Sequence, residues 1–187
     1  MRIGPVAQLP ALSRLLGLLL LLSFTCWQSS ATPAHAVESR YTYLPLITGG
    51  QPASVSIAEQ VVAVTNIYRA RHGCGPLTLN PQLTAAANEH SEDMAAHDYF
   101  SHTSQDGSTP WDRISRAGYK YTSAAENIAA GYPTAQEVVD GWYNEVPPND
   151  GHRKNMLDCT LTEVGIGYAE NDASTYQIYW TQDFGTQ

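Results

Sequence analysis

Glu163-Val164-Gly165-Ile166-Gly167-Tyr168-Ala169, then Tyr176-Gln177-Ile178-Tyr179-Trp180-Thr181-Gln182-Asp183-Phe184 beyond a turn at Asn171 to Ser174, is the stretch that decides the fold class. Val164, Ile166 and Tyr168 alternate with Gly165, Gly167 and Ala169, and the second run is dense in β-branched and aromatic residues. Period-two alternation across turn residues predicts a β-hairpin. A further strand is expected from about Tyr119 through Ile128.

Upstream of this sheet the periodicity changes from two to 3.6. Ser56 with Glu59 three residues on forms a capping box. Ile57, Val61, Val64 and Tyr68 then recur on one helical face until Gly73 and Gly75. Asn80 as cap and Pro81 at the first helical position open a second helix, whose Leu83, Ala87, His90, Met94 and His97 share a stripe. Thr109-Pro110 starts a short third helix to about Ala117. Thr134 with Glu137 opens a fourth, with Val138, Val139, Trp142 and Val146 facing inward until Pro147-Pro148. About four helices around a small, mainly antiparallel sheet make an α+β layered domain.

The protein has 187 residues, enough for one domain and a tail. Lys and Arg number 10 against 18 Asp and Glu, which leaves no cationic surface for a phosphate backbone and excludes nucleic acid as a partner. Hydrophobic residues make up 43%, enough to order the chain. The N-terminal segment reads as a signal peptide. Arg2 and Arg14 precede an apolar run from Leu15 to Trp27, too short for a hydrocarbon core of roughly 30 Å. Ala34-His35-Ala36 has the small-x-small form of a cleavage site, so processing is expected after Ala36. Residues 37–54, broken by Gly49, Gly50 and Pro52, read as a lead-in or linker, and 55–187 as the folded domain. The mature chain keeps 18 acidic and 8 basic residues, a formal charge of −10, and has no transmembrane segment. It also keeps Cys74 and Cys159, an even pair in an oxidising setting, expected to form a disulfide.

Few standard catalytic signatures are present. No P-loop, dinucleotide fingerprint, G-x-S-x-G elbow or C-x-x-C pair occurs. Glu89-His90 fails the zinc-protease spacing, because the inverted motif needs a histidine where Ala86 stands. Ser101 beside His102 lacks an oxyanion-hole signature. His90 and His97, on the core stripe, read as hydrogen-bonded buried histidines, and His72 as a cation at a helix C-terminus. Glu126 is the only charged residue between Lys120 and Glu137, in the apolar run Ala124-Ala125-Glu126-Asn127-Ile128-Ala129, and therefore calls for a partner. Glu145, three residues after Trp142, lies beside the apolar stripe of the fourth helix. His102 and His152 sit on loops able to present neutral imidazole to a cavity. Two imidazoles and two carboxylates brought together would suit a divalent metal or an acid/base cluster. Spacing alone proves no such site and fits as well the plainer reading that they only brace the fold.

From Ile57 to Phe184 the chain resembles the CAP superfamily, the cysteine-rich secretory, antigen 5 and pathogenesis-related proteins, in its bacterial SCP-type form. The resemblance rests on Asn66-Ile67-Tyr68-Arg69, His90-Ser91-Glu92-Asp93-Met94, Tyr99-Phe100-Ser101-His102, Glu126-Asn127-Ile128-Ala129, Gly151-His152-Arg153-Lys154-Asn155-Met156-Leu157, Glu163 to Gly167 and Tyr179-Trp180-Thr181-Gln182, in that order. It implies an α-β-α sandwich whose cleft carries two His and two Glu, able in some members to bind zinc. His102 in Phe-Ser-His, Glu126 in Glu-Asn-Ile, Glu145 in W-x-x-E and His152 in Gly-His-Arg match those positions. The leading expectation is a secreted, monomeric binding protein whose cleft takes a lipid-like small molecule or a peptide, with a metal on His102 and His152. Alternatives are a metal-assisted hydrolase in which Glu126 or Glu145 activates water, and an interaction domain with an architectural tetrad.

Overall fold

A computed structural model describes residues 54–187. The expected signal peptide over 1–36, its cleavage after Ala36, and the lead-in over 37–54, apart from Ser54, lie outside the described residues. Elements run in the order α1 (Ile57–Arg71), β1 (Thr78–Leu79), α2 (Pro81–His97), α3 (Pro110–Arg116), β2 (Ser123–Ala130), α4 (Ala135–Tyr143), α5 (Gly151–Met156), β3 (Glu163–Glu170) and β4 (Ile178–Thr186). No helix among the described residues is long and apolar enough to cross a membrane.

Helix starts fall where local chemistry puts them. Ser56 and Glu59 exchange both bonds of a capping box, Asn80 Oδ1 accepts from the Gln82 and Leu83 amides, Thr109 makes a capping box with Asp112, and Thr134 accepts from the Glu137 amide. The stripes differ in two places. On α1 the expected face packs against the core, with Val61 buried and Ile57, Val64 and Tyr68 partly so, and the buried side extends to Val62, Thr65 and Arg69. Arg69 is buried because its guanidinium fills a nest of carbonyls, from Gly75, Met156, Asp158 and Leu161, at 2.8–2.9 Å. On α2, His97 lies in the exposed last turn and pairs with Asp93. Helix α4 stops at Tyr143, before Pro147, so Val146 lies beyond it and is exposed.

The sheet has the order β1-β3-β4-β2. The expected hairpin is β3–β4, antiparallel, with Val164 opposite Phe184 and Ile166 opposite Gln182. Strand β2 runs antiparallel to the other side of β4 and starts at Ser123, four residues later than the pattern around Tyr119 suggests. Two elements lacked a sequence signal. The two-residue β1 pairs parallel to β3, making the sheet mixed, and the six-residue α5 replaces an expected loop at His152. The result is an α-β-α sandwich. Helices α1, α4 and α5 cover the face carrying Val164, Ile166, Trp180 and Phe184, and α2 with α3 covers the other.

Cys74 and Cys159 form the expected disulfide, with Cα atoms 4.9 Å apart and 85 residues between them in sequence. Cross-linking so long a loop is worth roughly 4 kcal/mol in the chain-entropy account. On the opposite face, α2 lies unusually close to the sheet. A Cβ at Gly165 would sit 2.0 Å from the Leu83 carbonyl carbon, and one at Gly167 2.0 Å from the Ala87 oxygen. Gly167→Ala must push the α2 backbone off the sheet, so a loss of about 3 kcal/mol or more in urea denaturation is expected. Gly75→Ala, with nothing within 4 Å of its added methyl, serves as the control and should change stability by less than about 0.5 kcal/mol.

Candidate functional site

Strand β2 is an edge strand, and its alternation sends consecutive side chains to opposite faces. Glu126 points to the α2–α3 face, opposite Asp183 of β4. Asn127 points to the α4–α5 face, opposite Gln182. Two His–Glu pairs flank this edge. His102, on the loop after α2, places Nδ1 2.7 Å from Glu126 Oε1. His152, in the first turn of α5, places Nδ1 2.6 Å from Glu145 Oε1, and its amide donates to Glu145 Oε2 at 3.0 Å. Glu145 thus satisfies one of the open N–H groups of the α5 start, a role past the end of α4 and not alongside that helix as its spacing from Trp142 suggested.

The pairs are joined across the edge. Asn127 Nδ2 donates to the His152 carbonyl at 3.2 Å and to Gln182 Oε1 at 3.1 Å. Asn155 Nδ2 donates to Asn127 Oδ1 and to the Glu126 carbonyl. Both pairs therefore hang on two consecutive residues of one strand.

Their surroundings differ. The His102 side chain is 47% exposed, whereas Glu126 is buried, and the partner its isolation called for is Arg113 of α3, whose Nη2 lies 2.6 Å from Glu126 Oε2. Arg113 also donates to the His102 and Ser108 carbonyls and to Ser104 Oγ, pinning the loop that carries His102. His90, buried as expected, bonds the Ser101 carbonyl through Nε2 at 2.9 Å, one residue from His102. Burial holds its imidazole down at about 4. Ser101 Oγ accepts from the Thr103 amide and takes no nucleophile's position. Asp183, wholly buried, has no donor for either carboxylate oxygen among the described residues. Burial, then the neighbouring Glu126 charge, raises its pKa well above the usual carboxylate range, so the group is held protonated beside Glu126.

Each tetrad carboxylate is fully committed, Glu126 to Arg113 and His102, Glu145 to the ring and amide of His152. A carboxylate accepting from Nδ1–H fixes the tautomer and leaves the Nε2 lone pair outward. Neither Nε2 has a hydrogen-bond partner among the described residues. Among those residues no group of three or more His, Cys, Asp and Glu lies in metal-binding proximity. Arg113, Asn127, Asn155 and Asp183 complete the site and were not singled out in the sequence. The one signal for any of them was the solitary charge of Glu126.

The pattern of the cysteine-rich secretory protein family (CAP) matches residues 62–184. An uncharacterized protein of Bacillus subtilis, YkwD, is 39% identical over 158 residues, spanning 84% of this chain and 56% of its own. The crystal structure of an extracellular protein containing an SCP domain from Bacillus anthracis superposes with a TM-score of 0.61 at 35% identity, covering 70% of this chain and 40% of that one. A cysteine-rich secretory protein from Staphylococcus aureus shares the fold, with a TM-score of 0.55 at 20% identity, over 73% of this chain and 40% of its own. The chain thus spans about half the length of these relatives.

Two measurements test the buried network. Arg113→Met strands the Glu126 charge and should cost about 3–5 kcal/mol. Arg116→Met, which breaks the half-exposed pair with Glu89, should cost less than about 1 kcal/mol. His90 gives a pH signature. The unfolded ring takes a proton near 6.5 and the folded ring only near 4, so its contribution is complete above 6.5 and lost as pH falls toward 4, by up to about 3 kcal/mol. Asp183 contributes with the opposite sign, gaining stability as pH falls, and does so in wild type and variant alike. His90→Gln should therefore flatten the wild-type loss between pH 6.5 and 4.5, and equal slopes in the two proteins would contradict this account.

Proposed function

Because the chain belongs to the cysteine-rich secretory protein (CAP) family, we propose that it is an exported binding protein in which the Nε2 atoms of His102 and His152 hold a divalent cation such as zinc. The remaining coordination positions face a lipid-like small molecule or a peptide. The observation that carries this reading is the matched pair of Nδ1–carboxylate bonds, which orients both rings with their lone pairs free. That arrangement suits imidazole ligation, where the second ring nitrogen is held by a carboxylate. Asn127 and Asn155 hold the pairs to one strand edge.

Two neutral imidazoles give a weaker site than the four ligands of a structural zinc, and leave positions for a ligand or water. The chain's own part is to orient the rings and keep their protons on Nδ1. Bound there, the cation supplies Lewis acidity to an oxygen or carboxylate of the ligand. Binding is favoured over hydrolysis because each oxygen of Glu126 and Glu145 is already held by a hydrogen bond that fixes the carboxylate on its partners. Export is supported by the Leu15–Trp27 run with Ala34-His35-Ala36 and by the Cys74–Cys159 bridge.

Calorimetric titration of the disulfide-bonded chain with Zn²⁺ at pH 7 should give binding near 1:1. His102→Ala and His152→Ala should each weaken it at least tenfold, about 1.4 kcal/mol. Glu145→Gln, which loosens the His152 ring without removing it, should have a smaller effect. Absence of zinc uptake by the wild type, or loss of thermal stability alone in the variants, would make the tetrad architectural.

A further inference from the structure

A second surface, built from other residues, has the chemistry of a ligand site. Between the start of α2 and the segment entering β2 lies an open hollow of about 380 Å³ lined by Gln82, Gly118, Lys120, Tyr121, Thr122 and Gln187. Its volume falls in the range of small-molecule sites. None of the His–Glu tetrad lines it.

Tyr121 is the aromatic residue of the lining, and Trp111 lies beside it. Trp111, in the first turn of α3, is 42% exposed, and its ring centroid lies 6.3 Å from that of half-buried Tyr121, the planes inclined at 47°. A large aromatic left in solvent beside a hollow offers an apolar face to a flat or puckered ring. The polar groups around it offer both donors and acceptors. Gln82 Nε2 gives one N–H to the Gly118 carbonyl, leaving its second N–H and Oε1 open. Thr122 Oγ1 donates to the Thr186 carbonyl and keeps its own lone pairs. The Tyr121 hydroxyl has no partner among the described residues. Mixed donors and acceptors beside an aromatic face suit a ligand rich in hydroxyl groups with C–H faces, which is the surface of a pyranose.

Lys120 sets the charge of that ligand. Among the described basic residues, Arg69 and Arg113 are buried and satisfied, Arg116 pairs with Glu89, Lys154 pairs with Asp150, and Arg71 and Arg153 lie over the rings of Tyr68 and Tyr143. Lys120 has neither an ion pair nor a ring, and no acidic residue lines the hollow. Among the described residues Lys120 is thus a cation with no partner, a position that suits a negative charge on the ligand.

We propose that this hollow binds an acidic saccharide, one ring stacked on Tyr121 with the edge of the ligand reaching the neighbouring Trp111, its hydroxyls on Gln82 and Thr122, and its carboxylate on Lys120. The site is independent of the tetrad.

Tetragalacturonate, maltotetraose and tetraglutamate would be titrated calorimetrically into the full chain with EDTA present, which removes metal from the tetrad. Tetragalacturonate should bind, weakened at least tenfold by Trp111→Ala or Tyr121→Ala and at least fivefold by Lys120→Met, and unchanged in His102→Ala. Trp111 and Lys120 are exposed, so thermal midpoints of those two variants should match wild type and keep the result interpretable. Three results would overturn the proposal: no binding of tetragalacturonate, equal binding of maltotetraose, or equal binding of tetraglutamate, the last meaning that charge alone attracts the ligand.

Discussion

The contact on which the rest of the molecule depends is the approach of the α2 backbone to Gly165 and Gly167 of β3. With hydrogen atoms in place of side chains, those two positions let the Leu83–Ala87 turn settle onto the strand at a distance no Cβ permits. Side chains farther along α2 then reach the sheet directly. Ser91 Oγ donates to Thr181 of β4, and Met94 packs with Ile128 and Tyr179. The helix ends over the same strand, where Asp98 accepts from Thr175 and Tyr179. His90 is thereby set deep enough to hold the Ser101 carbonyl, and the imidazole of His102 follows one residue later. Two absent side chains in a strand thus help to position the His102 imidazole on its loop.

A second constraint, the Arg113–Glu126 pair, explains why this loop is anchored by charge. Ion pairs taken out of water give little net stability, because desolvation offsets their attraction. A guanidinium nevertheless has what a hydrophobic side chain lacks, a rigid fork of donors. Arg113 uses it to bind one carboxylate, one hydroxyl and two carbonyls of the segment 102–108. The gain is in geometry. The same burial opposes a further negative charge on Asp183 beside that pair. The His152 pair is made differently, by a half-exposed carboxylate that also closes the first turn of α5. One imidazole rests on a buried network and the other on a helix start, so the two are held with unequal stiffness.

What the chain order revealed, and what it concealed, follows from the range of each interaction. Caps at Ser56, Asn80, Thr109 and Thr134 were legible because cap and amide lie within three residues, and β3 and β4 because alternation is local. The disulfide was legible from compartment and parity. Residues paired across the fold were not. Arg69 and Thr65 look like surface positions on α1 until the carbonyls of residues 156–161 and Gln182 reach them. Helix α5 has no side-chain cap at Asp150, and β1 is too short to show a period. Glu126 was the intermediate case. Its solitude in an apolar strand announced a partner, yet nothing in Arg113 itself distinguishes it from the exposed Arg116 one turn on.

The same accounting of hydrogen bonds bears on what kind of chemistry the tetrad supports. A general base must be free to turn toward the reacting water, and each oxygen of both carboxylates is held in place by a hydrogen bond. Freeing Glu126 would expose the buried charge of Arg113. Freeing Glu145 would open the start of α5 and release the His152 ring. In either case the group that became a base would undo the scaffold that positions it. The two Nε2 atoms carry no such burden, since each can accept a proton, a hydrogen bond or an ion without disturbing the bond that orients its ring. The carboxylates therefore serve as mounts for the imidazoles, whose Nε2 atoms are the ones left without a partner among the described residues.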